Sequence, residues 1–203
     1  MPMLPDSHQM DLMETACLAL FDEGRPLSAL AAAEALLALP DLPMHCPGHH
    51  YLTPAALLTA AHRACGSPRE RLCADLKLAK ERSAIIPGGV CGQYGCCGAA
   101  IGAGIFASVW QKTTPLSKTG WAAGNRMTAR CLDAIASVEG PRCCKRVTYL
   151  TLSAAVSAAR ELLELDLGAA GDIRCPYSGK NRECRKDACP FFRAEPAKEE
   201  AVC

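Results

Sequence analysis

Apolar residues recur along most of this chain at intervals of three and four positions, the spacing of amphipathic α-helices, and few segments alternate with the two-residue period of a strand. One face of the first predicted helix, residues 9–23, carries Met10, Met13, Cys17, Leu20 and Phe21. A second, alanine-rich helix is predicted over residues 27–39 and ends before Pro40. The pattern predicts an all-α protein of about six to seven helices in an orthogonal bundle.

Capping residues and prolines locate the other predicted helices. Thr53 and Pro54 supply an N-cap and a first helical residue for a third helix, and Ser67 and Pro68 repeat this signal for a fourth. The predicted ranges are 53–65 and 68–84 for these two helices, followed by about 95–114, 118–138 and 144–166.

The helical periodicity stops near Gly171. We therefore predict a helical domain over residues 1–168 with a central loop rich in glycine and cysteine. A small, irregular, cysteine-rich knuckle that binds metal is predicted over residues 169–194. Residues 195–203 are predicted to be a disordered tail.

Composition and charge exclude several functional classes. The net charge is +1 and aromatic residues make up 5% of the chain, so neither a basic surface nor stacking side chains favour nucleic-acid binding. No apolar run approaches the roughly 18 residues of a membrane span. The first residues also lack the basic flank and apolar core of a signal peptide. We expect a cytoplasmic protein that binds neither nucleic acid nor membrane.

Fourteen cysteines are several times the number that an ordinary cytosolic protein of 203 residues carries. In a reducing compartment, clustered cysteines are expected to be metal ligands or redox thiols before disulfides. Cys17, Cys65, Cys73 and Cys131 lie on or beside predicted helical faces, and we expect them to be structural.

The central loop contains three cysteines among glycines, directly before a predicted helix. Cys96 and Cys97 stand at the start of that helix, where the helix dipole favours a thiolate, so they are candidates for a redox or nucleophilic role. Cys91 lies five residues earlier and completes the group. Gly98 and Gly102 also allow close helix packing, but that purpose does not account for three cysteines upstream.

A vicinal pair, Cys143-Cys144, also precedes a predicted helix. Both thiols can face a shared metal or a partner thiol; the alternative is two small residues in a buried turn. If the two helices pack side by side, the pair would converge with the central loop. The predicted cofactor site then contains Cys91, Cys96, Cys97, Cys143 and Cys144.

The predicted knuckle has the spacing C-x8-C-x4-C-P, given by Cys175, Cys184 and Cys189. Cysteine followed by proline is common at the end of iron–sulfur ligand runs, and a metal can supply folding energy to a segment without a core. Spacing leaves both an iron–sulfur cluster, which we prefer, and Zn²⁺ open. The alternative is a loose tail with incidental cysteines.

A fourth ligand for the knuckle is expected from the loop over residues 42–54, because Cys203 is too near the end of the chain to be held firmly. This loop offers His45, Cys46, His49 and His50. The alternative is that the loop is a polar connector in which one histidine caps a helix.

Four stretches together resemble a bacterial and archaeal domain-of-unknown-function family numbered 5714. They are PMHCPGHHYLTPAALLTA, GGVCGQYGCCGAAIGAGIFASV with TTPLS behind it, RCCKRVTYLTLSAAV, and CPYS with CRKDACPFF, within about residues 40–192. The resemblance implies no particular activity. It implies an accessory role beside methyltransferase and radical-SAM proteins, to which some members are joined or adjacent.

A more distant resemblance is to putative redox-active proteins with the signature C-GCAxxG-C-C. The matching positions are Cys97, Gly98, Ala99 and Gly102, with Cys143 and Cys144 in the place of the later cysteines. Ala99 stands where that signature has a cysteine, and Cys91 and Cys96 are additional. The resemblance implies a helix-borne thiol cluster.

Three functions remain open at this point. The preferred one is a protein that binds an iron–sulfur cluster or another metal and handles electrons, sulfur or metal for a partner enzyme, rather than a stand-alone enzyme. The second is a binding module in which structural zinc holds the knuckle and the helical body docks a methyltransferase. The third is an enzyme with Cys96 or Cys97 as nucleophile and a histidine of the 45–50 loop as base.

Overall fold

A computed structural model describes residues 3–169 and 171–193, and in that part of the chain the regular structure is entirely helical. The helices are α1 (Ser7–Asp22), α2 (Ala29–Leu37), α3 (His49–Ala64), α4 (Arg69–Ala84), α5 (Val90–Gln93), α6 (Gly98–Trp110), α7 (Trp121–Ala136) and α8 (Cys144–Leu163). None of the described helices is both long and apolar enough to cross a membrane. The all-α prediction is confirmed, and the additional helix is α5, a single turn of four residues inside the central loop.

The third helix begins earlier than the sequence indicated. Gly48 is the N-cap of α3, and the expectation that Thr53 caps the helix is wrong. The amides of residues 49–52 already bond to carbonyls of residues 46–48, so the turn before Pro54 is closed. Because Pro54 lacks an N–H, the only helical hydrogen bond lost is the one that the His50 carbonyl would accept from residue 54. The consequence is that His49 and His50 belong to a helix rather than to a loop.

Helix α3 is the centre of the fold, with 13 of its 16 residues buried. It packs against α1, α2, α4, α6 and α8. The approach of α6 is closest at Gly102, where a Cβ atom would lie 2.6 Å from the His50 carbonyl oxygen and 2.8 Å from Pro54 Cδ. The small residues of α6 thus allow direct backbone contact between the two helices, as the sequence predicted.

Residues 171–193 contain only two short 3₁₀ turns, Ser178–Lys180 and Lys186–Ala188, and lie against the helical body. The Cys175 amide donates to the Phe191 carbonyl at 2.8 Å, and the Phe191 ring meets the Tyr149 ring of α8 edge-on at 5.4 Å. Ile173 and Phe191 are buried in the same core as the helices. The knuckle is therefore anchored on α8. The predicted disordered tail, residues 195–203, and Cys203 within it lie outside the described residues.

Candidate functional site

A cavity of about 990 Å³ lies among the N-terminal ends of α3, α6 and α8, beside one face of α7 and the glycine-rich turn that contains α5. Five thiols line it: Cys46, Cys91, Cys97, Cys143 and Cys144. The wall contributed by α7 is mainly aliphatic and includes Leu132 and Ile135. The thirteen cysteines in the described residues are all free thiols. The cavity thus has one thiol-rich side and one apolar side.

Helix α6 brings the central loop to this cavity. Cys97 is its N-cap and is buried. Burial raises the pKa of Cys97, the amides of Ala99 and Ala100 oppose this, and the neighbouring thiols of Cys91 and Cys96 raise it further. Cys97 is therefore a neutral thiol when no cation accompanies it. Cys96, also predicted for the site, is not among the residues that line the cavity.

The first residue of α8, Cys144, faces the same group of thiols. Burial raises its pKa to about 12, and Arg142 and the Cys46 amide oppose this rise. The thiols of Cys46 and Cys97 raise the pKa of Cys144 as well. Cys46, Cys97 and Cys144 line the same cavity. Of the predicted cofactor site, Cys91, Cys97, Cys143 and Cys144 line this cavity.

Two histidines at the start of α3 also line the cavity. Nδ1 of His49 lies 3.1 Å from the Cys46 carbonyl oxygen, and Nδ1 of His50 lies 3.1 Å from the Ile86 carbonyl oxygen. A carbonyl only accepts, so each Nδ1 donates and each Nε2 carries the free lone pair. Nε2 of His49 is buried without a hydrogen-bond partner. Burial, with a smaller contribution from Lys145, lowers the pKa of His49 to about 3, so its ring is neutral.

His45 lies against the knuckle, the segment to which the sequence predicted that its loop would contribute. Its Nδ1 accepts from the Cys144 amide at 3.4 Å, and its Nε2 lies 3.1 Å from Asn181 Oδ1 and 3.2 Å from Glu183 Oε2. Both ring nitrogens are therefore engaged in hydrogen bonds. His45 links the start of α8 to the knuckle and offers no free nitrogen to a metal.

A second group of four thiols lies on the other side of Cys143. Cys143, Cys175, Cys184 and Cys189 surround a small cavity of about 10 Å³. The sequence suggested Cys46 or a histidine as the fourth member of the knuckle group, but Cys143 lies there and Cys46 lines the large cavity. The vicinal pair is thus divided between two places: Cys144 faces only the large cavity, whereas Cys143 borders both.

Two buried cations follow the vicinal pair directly. Lys145 is 1% exposed, donates to the Leu37 carbonyl at 3.4 Å and lies 4.7 Å from the centre of the Tyr177 ring. Arg146 is 4% exposed and donates to two backbone carbonyls before α8, while its Nε has no partner. In the described part of the chain, neither cation forms a salt bridge with a carboxylate. Because an unpaired buried charge is costly, burial lowers the pKa of Lys145. An anion near these two side chains would offset that cost.

Sequence reasoning missed both cations, although the stretch RCCKR places them beside the cysteine pair. It also missed Asn181, whose Nδ2 donates to Cys143 Sγ at 3.3 Å. Among the described residues, no three His, Cys, Asp or Glu side chains already stand in a metal-binding arrangement. Either thiol group would need side-chain rotations to bind a metal.

The comparisons with known proteins identify the family. Residues 19–192, well over half of the chain, match the model of a family described as a family of unknown function (DUF5714). The chain therefore belongs to this family. None of the curated proteins and none of the solved structures matches it.

Proposed function

We propose that this member of the DUF5714 family binds an iron–sulfur cluster in the large cavity and handles electrons, sulfur or metal for a partner enzyme. The proposed ligands are Cys46, Cys91, Cys97 and Cys144. The observation that supports the proposal is that three separate segments, the loop before α3, the central loop and the start of α8, bring four thiols to one cavity. Four thiolates are the usual ligand set of iron–sulfur clusters.

The size of the cavity agrees with this cofactor. Its volume of about 990 Å³ lies at the upper end of the roughly 300–1,000 Å³ typical of ligand pockets. A cluster on the thiol side would leave room for a small molecule against the aliphatic face of α7. The lone pair on Nε2 of His49 offers a further donor at the same cavity.

The buried basic side chains near the thiols also support an iron–sulfur cluster. Without a metal, burial raises the pKa of Cys46, Cys97 and Cys144, so these thiols remain protonated and leave Lys145 and Arg146 without anions. A metal displaces the thiol protons, and an assembly with four thiolates carries net negative charge. Lys145 and Arg146, which form no salt bridge with a carboxylate among the described residues, would then gain an anionic partner.

Protein purified without oxygen is expected to be brown and to contain iron and acid-labile sulfide in equal amounts, at about four of each per chain for a four-iron cluster. Its visible absorbance should fall when dithionite reduces the cluster. Iron, sulfide and protein assays together with absorbance spectra provide the measurement. A colourless protein without iron, in which the thiols react freely, would contradict the proposal.

The partner enzyme that we expect is a methyltransferase or a radical-SAM enzyme, in line with the family resemblance. Reoxidation of the reduced protein upon mixing with such an enzyme would support electron delivery.

One observation favours a second function, a cysteine-nucleophile enzyme. The His50 ring packs against Gly98, the residue after Cys97, so closely that a Cβ atom at Gly98 would overlap the ring. The Ile86 carbonyl orients this ring through Nδ1, as the third member of a catalytic group would. Burial raises the pKa of Cys97, however, which opposes a ready nucleophile.

Alkylation of the metal-free protein separates these two functions. If the thiols serve as metal ligands, we expect iodoacetamide to react with Cys97 more slowly than with exposed Cys65, because the buried thiol is protonated. Peptide mass spectrometry over a time course gives the alkylation rates of Cys97 and Cys65. The Cys97→Ser variant lacks the Cys97 thiol and so identifies the peptide that carries its modification. A Cys97 that reacts many times faster than Cys65 would favour the enzyme instead.

A further inference from the structure

We propose that Cys143, Cys175, Cys184 and Cys189 hold one zinc ion in a tetrahedral site that is separate from the cluster in the large cavity. The site belongs to the knuckle, and it takes its fourth ligand from the start of α8. Its existence does not depend on the proposed cluster, because Cys46, Cys91, Cys97 and Cys144 take no part in it.

Three of the four thiols come from the knuckle, and the fourth, Cys143, lies 32 residues before Cys175 in the sequence. All four line the cavity of about 10 Å³ between the knuckle and α8. Four cysteines around one small volume are the ligand set of structural zinc sites.

Backbone and side-chain donors already point at these sulfurs. Cys143 Sγ accepts from Asn181 Nδ2 at 3.3 Å and from the Arg146 amide at 3.4 Å. Cys184 Sγ accepts from the Lys186 amide at 3.5 Å. N–H donors around sulfur stabilise the thiolate form, and such outer contacts orient ligands in metal sites.

Asn181 is held in a position from which it can orient the Cys143 thiol. It is 8% exposed, and its Oδ1 lies 3.1 Å from His45 Nε2 and accepts from the Glu183 amide at 3.1 Å. Its carboxamide is thus fixed from two sides while Nδ2 faces Cys143. A thiol that only filled space would not need such a fixed donor.

The small size of the cavity between the knuckle and α8 favours a single metal ion over a cluster. About 10 Å³ accommodates a single water-sized particle. A single zinc ion bound by four sulfurs at about 2.3 Å needs less space than a cluster, and the four side chains would rotate to reach it. A four-iron cluster adds eight core atoms, which would push the knuckle away from α8. The structure therefore favours zinc over the iron–sulfur cluster that the Cys-Pro spacing suggested.

The charge and proton balance is defined. Zn²⁺ replaces the protons of four thiols, which gives a Zn(S-Cys)₄ unit of charge −2 and releases four protons. Arg146 and Arg185 both border the small cavity. Arg146 is one of the two buried cations without a carboxylate partner, so the anionic zinc unit would provide its counter-charge.

The site also explains how residues 171–193 keep a defined conformation. This segment has two 3₁₀ turns and few buried apolar side chains of its own. Metal binding supplies folding energy to segments of this kind. Zinc would tie the segment to the start of α8 and, through His45, to the loop before α3.

The full-length Cys91→Ser variant tests the proposal without interference from the cluster. This change removes a proposed cluster ligand and leaves the four knuckle thiols intact, so we expect about one zinc ion per chain and little iron. Cobalt substitution should give the intense absorption of tetrahedral cobalt–thiolate coordination. No zinc or cobalt binding, or iron in place of zinc, would overturn the proposal. If only the cluster proposal is wrong, the wild-type protein will contain zinc but no iron or sulfide, so the two proposals fail in distinguishable ways.

Variants at Cys189 and Asn181 identify the ligands. Cys189→Ser is expected to lose zinc, whereas Cys189→His, which keeps a zinc-binding side chain, should retain part of it. Asn181→Leu should keep the stoichiometry but weaken zinc binding by roughly 10–100-fold. Cys65→Ser is the matched control, since Cys65 is exposed and outside both groups. Full zinc retention in Cys189→Ser would exclude this residue as a ligand and overturn the four-cysteine site.

Discussion

Serine in place of Cys144 is expected to remove iron and sulfide while zinc stays at about one ion per chain, and serine in place of Cys143 is expected to do the opposite. The two cysteines are adjacent, but Cys144 faces the large cavity, whereas Cys143 borders the small one with the knuckle thiols. Loss of one thiolate ligand leaves each centre incomplete. Metal analysis of both proteins after anaerobic purification measures the effect.

Cys65→Ser serves again as control and should keep both metals, because this thiol is exposed and distant from α8 in the sequence. Far-UV circular dichroism distinguishes loss of a ligand from loss of the fold. Two well-folded variants that both lose the same metal would show that the pair serves a single centre. That result would contradict the division of the pair.

Alanine in place of Gly102 is expected to destabilise the fold and to lower the iron content. The new Cβ would lie 2.6 Å from the His50 carbonyl oxygen, a backbone atom that cannot rotate away. Helix α6 must therefore move from α3, at a cost of about 1–3 kcal/mol in the free energy of unfolding. The movement also displaces Cys97, the N-cap of α6, from the cavity. Urea unfolding and iron analysis measure the two effects.

Gly92→Ala provides the matched control for this substitution. Gly92 lies in the single turn of α5, has no left-handed backbone angle, and no atom lies within 4 Å of the Cβ that alanine would add. We expect a change of no more than about 0.5 kcal/mol. Equal stability of the Gly102→Ala and wild-type proteins would mean that α6 does not depend on this close approach.

The two proposed centres share one structural element, the start of α8. Cys143 is its N-cap in an extended conformation, with φ of −144° and ψ of 109°, and Cys144 is the first helical residue. Lys145 and Arg146 follow within the same turn and supply positive charge between the two thiol groups. Zinc at Cys143 would therefore also fix the position of Cys144 in the cavity.

Sequence reasoning predicted the helical class because the apolar periodicity of α1, α2 and α4 is a local property of the chain. The small residues of α6 likewise indicated a close helix approach, which occurs at Gly102. The sequence predicts the start of α3 too late, because a proline after a threonine normally opens a helix. Here the carbonyls of residues 46–48 close an earlier turn, and tertiary burial of His49 favours the longer helix.

The sequence by itself determined that the protein is helical, that its cysteines fall into a central loop, a vicinal pair and a knuckle, and that histidines accompany Cys46. Only the tertiary structure decided which thiols meet. Neighbouring residues at the start of a helix point in different directions, since one has extended and the other helical backbone angles. The order of cysteines along the chain therefore does not reveal that Cys144 lines the large cavity with Cys46 and Cys97, while Cys143 also lines the small cavity with the knuckle thiols. That division depends on how α3, α6 and residues 171–193 pack around α8.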